Sequence, residues 1–221
     1  MDQVQQLHEL IGSAKRIVAF TGAGISTESG IPDFRSPGGI WTKYQPIYFD
    51  DFMSSEEMRR EAWRRKFATD ETMQKAEPNA GHRALAKLVE RGKMTAIITQ
   101  NVDDLHVRAG TARLVRLHGS IWELRCGRGC GGRWRDEKLS TAMRQCPSCG
   151  GVARPAVVWF GEALDRRDLD AALAAIDAFL VNVDDPAHAI PEVDAARLRR
   201  LGLTERDALQ RILRQRALAA R

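Results

Sequence analysis

The sequence predicts an α/β protein in which a parallel sheet carries helices on both faces, with a small cysteine-bearing insert. Three observations support this. Apolar runs at 16–20, 94–99 and 114–117 alternate with segments of helical periodicity. The runs are too continuous for half-solvated strands and suit parallel strands covered on both sides. A glycine turn, Thr21-Gly22-Ala23-Gly24, follows the first run, and four cysteines in two pairs break the pattern further on.

The elements follow in order. Val4, Leu7, Leu10 and Ile11 have helical spacing over 3–14. Arg16–Phe20 reads as a buried strand. Gly22 and Gly24 permit a tight turn and close approach of a ligand, because neither has a Cβ. A glycine turn after a first strand is where a dinucleotide pyrophosphate meets free N–H groups at a helix start. Thr27 stands in place of the third glycine, and no acidic residue follows about 20 residues on, so a plain strand–turn–helix junction is an equal reading of these residues alone. Ser29–Arg35 is polar and rich in breakers, a loop suited to covering a cofactor. Ser54-Ser55-Glu56-Glu57 predicts a capped helix running to about Ala68. Pro78-Asn79 starts another, with Ala84, Leu85, Leu88 and Val89 inward and Gly92 at its end. Met94–Thr99 is a strand, Leu105–Ala109 a short helix, and Leu114–Leu117 a strand. Asp168–Ile176 reads as a helix and Ala178–Val181 as a strand.

Two polar clusters sit at strand ends, where ligands bind in open parallel sheets. One is Gln100-Asn101-Val102-Asp103-Asp104; the other is His118-Gly119. An imidazole titrating near neutrality makes His118 the natural general base there. Cys126-x3-Cys130 and Cys146-Pro-Ser-Cys149 have the spacing of a closed four-thiolate zinc site that does no chemistry itself.

The 221 residues carry a formal charge of +5, with Lys and Arg spread along the chain rather than clustered. This argues against a sequence-specific nucleic-acid footprint. No apolar run reaches membrane-span length, and the first ten residues lack a secretory core. A cytoplasmic location is expected.

The string T-G-A-G-I-S-T-E-S-G-I-P-D-F-R-S, at 21–36, resembles the N-terminal signature of sirtuins, the NAD-dependent protein-lysine deacylases. Q-N-V-D-D-L-H and L-H-G-S match sirtuin motifs in order and spacing. The four cysteines stand where sirtuins carry a zinc ribbon. Arg154–Glu162 resembles the sirtuin segment that pairs, strand to strand, with an acyl-lysine peptide.

The resemblance implies a Rossmann-like core at about 1–35, 78–122 and 155–181, a helical insert at 36–77 and a zinc ribbon at 123–154. It implies NAD contacts at Gly22, Ala23, Gly24, Ile25, Ser26, Pro32, Asp33, Phe34, Arg35, Trp41, Gln100, Asn101 and Asp103. His118 and Asn101 would be catalytic. Val157, Phe160, Gly161 and Glu162 would hold an acylated lysine peptide, and Cys126, Cys130, Cys146 and Cys149 one structural Zn²⁺. The products would be nicotinamide, O-acyl-ADP-ribose and free lysine. Mono-ADP-ribosyl transfer and a catalytically silent acyl-lysine-binding module are the alternatives. An acidic acyl group is disfavoured, because Ala62 stands where Tyr-x-x-Arg would place tyrosine before Arg65. The resemblance covers about 10–181. Residues 182–221 form a charged, helical-looking tail without the Gly-Thr-Ser loop or the later strands of the family's sheet, so the C-terminal sheet strands are expected to be missing.

Overall fold

A computed structural model describes residues 3–14, 17–135 and 145–180; the tail expected at 182–221 lies outside the described residues. Helix α1 (Gln3–Ser13) leads into β1 (Ile17–Thr21), then a 3-10 helix (Ala23–Ser29). Helices α2 (Phe49–Ser54), α3 (Glu56–Lys75) and α4 (Ala80–Glu90) precede β2 (Met94–Thr99). The short α5 (Leu105–Arg108) precedes β3 (Leu114–Arg116). Strands β4 (Gly119–Cys126), β5 (Arg133–Arg135) and β6 (Ala153–Val157) come next, and α6 (Arg166–Leu180) is last.

Strands β1, β2 and β3 form a parallel sheet in that order, with Thr21 level with Thr99 and Thr99 level with Arg116. Alternation along β2 decides what covers each face. Ile97 packs with Val89, Leu85 and Leu88 of α4, whereas Ile98 packs with Ala172 and Ile176 of α6. Both isoleucines are fully buried, and each such side chain stabilises the fold by roughly 1.5–3 kcal/mol. Helices therefore cover both faces of β2; β1, expected to be buried, is only half-buried, and Phe20 is exposed, because among the described residues this outer strand has a sheet neighbour on one side only.

The second sheet is antiparallel, in the order β5-β4-β6. Phe52 of α2 and Trp63 of α3 pack on it with Leu124 and Ala153. Ser55 caps α3 by accepting from Met58 N–H at 3.2 Å. That helix continues past Ala68 because the pairs Lys66–Asp70 and Glu71–Lys75 bridge its later turns. It stops before Pro78.

The strand expected at 178–181 is not one. Residues 178–180 continue α6, since no glycine or proline interrupts Ala171–Leu180 and its alanines and leucines favour propagation. Val181 lies outside the described residues. No described helix is long and apolar enough to cross a membrane.

Candidate active site and metal centre

The 3-10 helix places the glycine turn at the C-terminal ends of β1 and β2. Ile25 N–H donates to the Gly22 carbonyl at 3.2 Å, and Gly30, at φ +84°, closes the helix by donating to Thr27 O. A Cβ on Gly22 or Gly24 would meet no atom within 4 Å, so open ground flanks the turn. Asn79, the cap of α4, steadies the loop from behind by donating to Ile25 O at 2.6 Å and Ser29 Oγ at 3.0 Å.

The strand-end polar residues converge on this turn. Asn101 Nδ2 donates to Gly22 O at 3.1 Å and to Ser26 Oγ at 3.0 Å. The buried Ser26 hydroxyl donates to Asp103 Oδ2 at 2.7 Å, and Leu105 N–H donates to Asp103 Oδ1 at 2.9 Å. Both Asp103 oxygens thus organise the site, while Asn101 Oδ1 has no hydrogen bond among the described residues.

His118 faces the same place. Its Nδ1 donates to the Gln100 carbonyl at 3.0 Å. A carbonyl can only accept, so the neutral ring carries its proton on Nδ1 and keeps the Nε2 lone pair. Nε2 makes no hydrogen bond among the described residues. Burial pushes the imidazole pKa below its usual value, and the Gln100 bond opposes this only in part. The next residue, Gly119, adopts φ +76°, and a Cβ there would lie 1.9 Å from Ala156 O. Val158 N–H donates to His118 O at 3.1 Å, which joins the histidine to the chain leaving β6.

The loop residues stand apart. Asp33 accepts from Arg35 N–H, Ser36 N–H and Ser36 Oγ, and these bonds hold its carboxyl below the usual range. Pro32, Phe34 and Arg35 are exposed. No hydrogen bond among the described residues joins Asp33 or Arg35 to the Asn101 cluster. Trp41 lies in a 3-10 turn, Ile40–Thr42, ahead of α2. Val157 ends β6, and Phe160 O accepts from Phe49 N–H at 2.8 Å. Gly161 follows at φ +79°. Glu162 pairs with Arg125 and Arg154 and accepts from Trp159 N–H at 3.2 Å.

Two features were missed by sequence reasoning. His82 and His106 are buried with their rings 4.8 Å apart, edge to face, beneath the site. Thr21 Oγ1 donates to Thr99 Oγ1, so it accepts from His106 Nε2 at 2.9 Å. Burial, with His82 nearby, pushes His106 down to about 4. The signal was available in the helix cap Asn79-x-x-His82, but a histidine in a cap reads as surface. The second omission is the partners of Asp104, a member of the strand-end cluster: at φ +59° it accepts from Ser120 Oγ at 2.9 Å and Arg116 at 3.0 Å.

At the ribbon end, the Sγ atoms of Cys126, Cys130, Cys146 and Cys149 all lie within 4.8 Å of one another, and no disulfide joins them. Cys126 and Cys149 are 3.6 Å apart and Cys130 and Cys146 3.5 Å. Zn–S bonds of about 2.3 Å in a tetrahedron require S···S edges of roughly 3.8 Å. Four thiols at that spacing fit a structural Zn²⁺ and leave no position for a reactive water.

A parallel sheet with a glycine turn and polar strand ends, joined to a four-cysteine ribbon, defines a Rossmann-like nucleotide-binding protein with an inserted metal ribbon. The model of the Sir2 family matches residues 22–182. The chain belongs to the Sir2 family. It is 46% identical over 187 residues to "NAD-dependent protein deacetylase 1" of Bradyrhizobium diazoefficiens, covering 80% of this chain and 73% of that one. It is 45% identical over 177 residues to "NAD-dependent protein deacylase" of Aeropyrum pernix, covering 78% and 70%. A solved Sir2 homologue–NAD complex aligns with a TM-score of 0.68 at 36% identity, over 80% of this chain and 69% of that one. A Sir2 structure with a deacetylated p53 peptide and 3′-O-acetyl ADP-ribose aligns with a TM-score of 0.68 at 37% identity, over 79% and 72%.

Proposed function

We propose that this chain is an NAD-dependent protein-lysine deacylase, releasing nicotinamide, O-acyl-ADP-ribose and free lysine. The observation that carries the reading is His118, held by Gln100 O with Nε2 unbonded, at the strand edge where Asn101, Ser26 and Asp103 meet the glycine turn. The deacetylase and deacylase names of the relatives support it. No contact among the described residues favours ADP-ribosyl transfer or a silent binding module.

NAD, when bound, supplies an anomeric carbon with nicotinamide as leaving group. The open ground at Gly22, Ala23 and Gly24 suits its pyrophosphate, with backbone N–H groups rather than side chains as donors. Asn101, fixed through its Nδ2, offers Oδ1 to the nicotinamide riboside. Ser26 and Asp103 hold Asn101 in place. His118 Nε2 takes a proton from a ribose hydroxyl. Phe34 and Arg35, on the exposed loop, lie where a closing cover would exclude water, and Ile25, Pro32, Asp33, Gln100 and Trp41 complete the cofactor contacts. Val157, Phe160 and Gly161 form the edge on which an acylated lysine peptide adds as a strand; Glu162 braces that edge through its arginines.

The reading keeps 1–181 as the catalytic region, with 36–77 and 123–154 as inserts, and places the protein in the cytoplasm, where free thiols persist to bind zinc. A neutral acyl group suits the site. Arg65, the cation that would meet an acidic one, is already committed to Glu61, to Gln45 O and to the face of Tyr44.

The test is to incubate zinc-loaded protein with NAD and an acetyl-lysine peptide. Nicotinamide and deacylated peptide in equal amounts are expected. Unchanged peptide from intact, metal-replete protein would reject the enzyme. Calorimetric heat with peptide and none with NAD would instead identify a silent module.

A further inference from the structure

A recess lies against the cysteine ribbon, touching Cys126, Gly127 and Gly132. It has a volume of about 440 Å³, and its wall includes Arg125, Arg133, Arg154, Arg167, Glu162 and Asp165. The register of the antiparallel sheet explains the concentration of charge. Arg125 of β4 is level with Arg133 of β5 on one side and with Arg154 of β6 on the other. Like charges directly opposite across strands repel, so three guanidiniums in one cross-strand row need compensating partners; Arg154 also lies over the Phe49 ring and donates to Val157 O at 3.2 Å.

Carboxylate partners are few. Glu162 alone serves Arg125 and Arg154, the second of them buried. Glu123 divides itself between Arg133, at 2.5 Å, and Arg116, at 2.9 Å. Asp165 lies 3.6 Å from Arg167, which is 89% exposed. Four arginines line the recess against Glu162 and Asp165, with Glu123 paired to Arg133 and Asp168 near Arg133 and Arg167; Arg133 and Arg167 stand at its solvent side. The recess begins at Glu162, one residue beyond the Val157–Gly161 edge assigned to the peptide.

We propose that this arginine-walled recess is a specificity site for the protein substrate, taking an acidic side chain that flanks the acylated lysine. The inference rests on the deacylase reading above. A peptide lying along Val157–Gly161 advances about 3.3 Å per residue, so a glutamate or aspartate within about four residues of the lysine reaches the recess on one flank only. Guanidinium forks match a carboxylate. The same wall repels a lysine or arginine at that position.

The experiment measures kcat/KM for five acetyl-lysine peptides: four with glutamates or lysines placed either before or after the acyl-lysine, and one with uncharged flanks. The wild-type chain should prefer glutamate by about fivefold on one flank, as several screened surface charges allow. The preference should shrink as salt is raised. In Arg133→Glu/Arg167→Glu it should vanish or invert, while a peptide with uncharged flanks is turned over as before. The preference is a ratio on one protein preparation, so partial loss of folding does not mimic it. Equal preference on both flanks would assign the effect to the overall charge of +5 and overturn the proposal. So would a ratio unchanged in the double variant. Failure to turn over any of the peptides would instead overturn the deacylase reading.

Discussion

At the scale of the residue, the tautomer of His118 is fixed by one backbone carbonyl, and its basicity is reduced by burial. The base form is the neutral ring, so activity is lost as pH falls through a folded-state pKa that lies below the usual 6.5. The acid limb of kcat/KM should therefore fall below pH 6.5. His118→Asn should cost about 10²–10⁴ in kcat with NAD affinity, measured by calorimetry, nearly unchanged. His106 gives a different pH effect. Its pKa is about 4 in the folded state against 6.5 in an open chain. Between those values the unfolded chain binds more protons, so stability rises with pH through the window and is lost on acidification. The slope from this ring is at most about 1.4 kcal/mol per pH unit. Urea unfolding at several pH values between 4 and 6.5 should show a shallower slope in His106→Gln than in the parent.

At the scale of the element, the ribbon and the edge proposed for the peptide are one unit, because β6 leaves the cysteine knuckles and passes directly to Val157. Metal removal should therefore act on peptide turnover before it acts on the parallel sheet. Chelation is expected to lower deacylation more than about tenfold, with ribbon unfolding visible by circular dichroism, since such sites fold only when metallated. NAD affinity should change little. Undiminished turnover in metal-free protein would refute a structural ion.

Much at this scale was legible beforehand. Strands β1 and β2, α4 with its asparagine cap, and the cysteine spacing all follow from local chemistry, which a sequence displays directly. The end of α6 was not legible, because Ala178–Leu180 suits strand or helix and only the absence of a breaker decides. Nor were the partners of Asp104 and Glu162, or the His82–His106 contact. Those depend on which elements meet, and long-range pairing leaves no mark in spacing.

At the scale of the whole molecule, the two sheets are tied by Asp104, which joins the Asn101 loop to Arg116 and to Ser120 of β4. Asparagine accepts a left-handed backbone as readily as aspartate, so Asp104→Asn tests the charge without disturbing φ. Arg116 keeps Glu123, so losing this partner should cost about 1–2 kcal/mol, read as a lower urea midpoint, together with a raised KM for peptide as the ribbon loosens from the loop. An unchanged midpoint would show the tie to be dispensable. The same junction contains Gly119, between the histidine and β4, with the Ala156 carbonyl occupying the volume a side chain would need. The spacing between His118 and β6 is thus set by a missing methyl group. Any larger residue at 119 must push the two apart, so on the proposed chemistry this one hydrogen atom is the gauge of the gap between base and peptide.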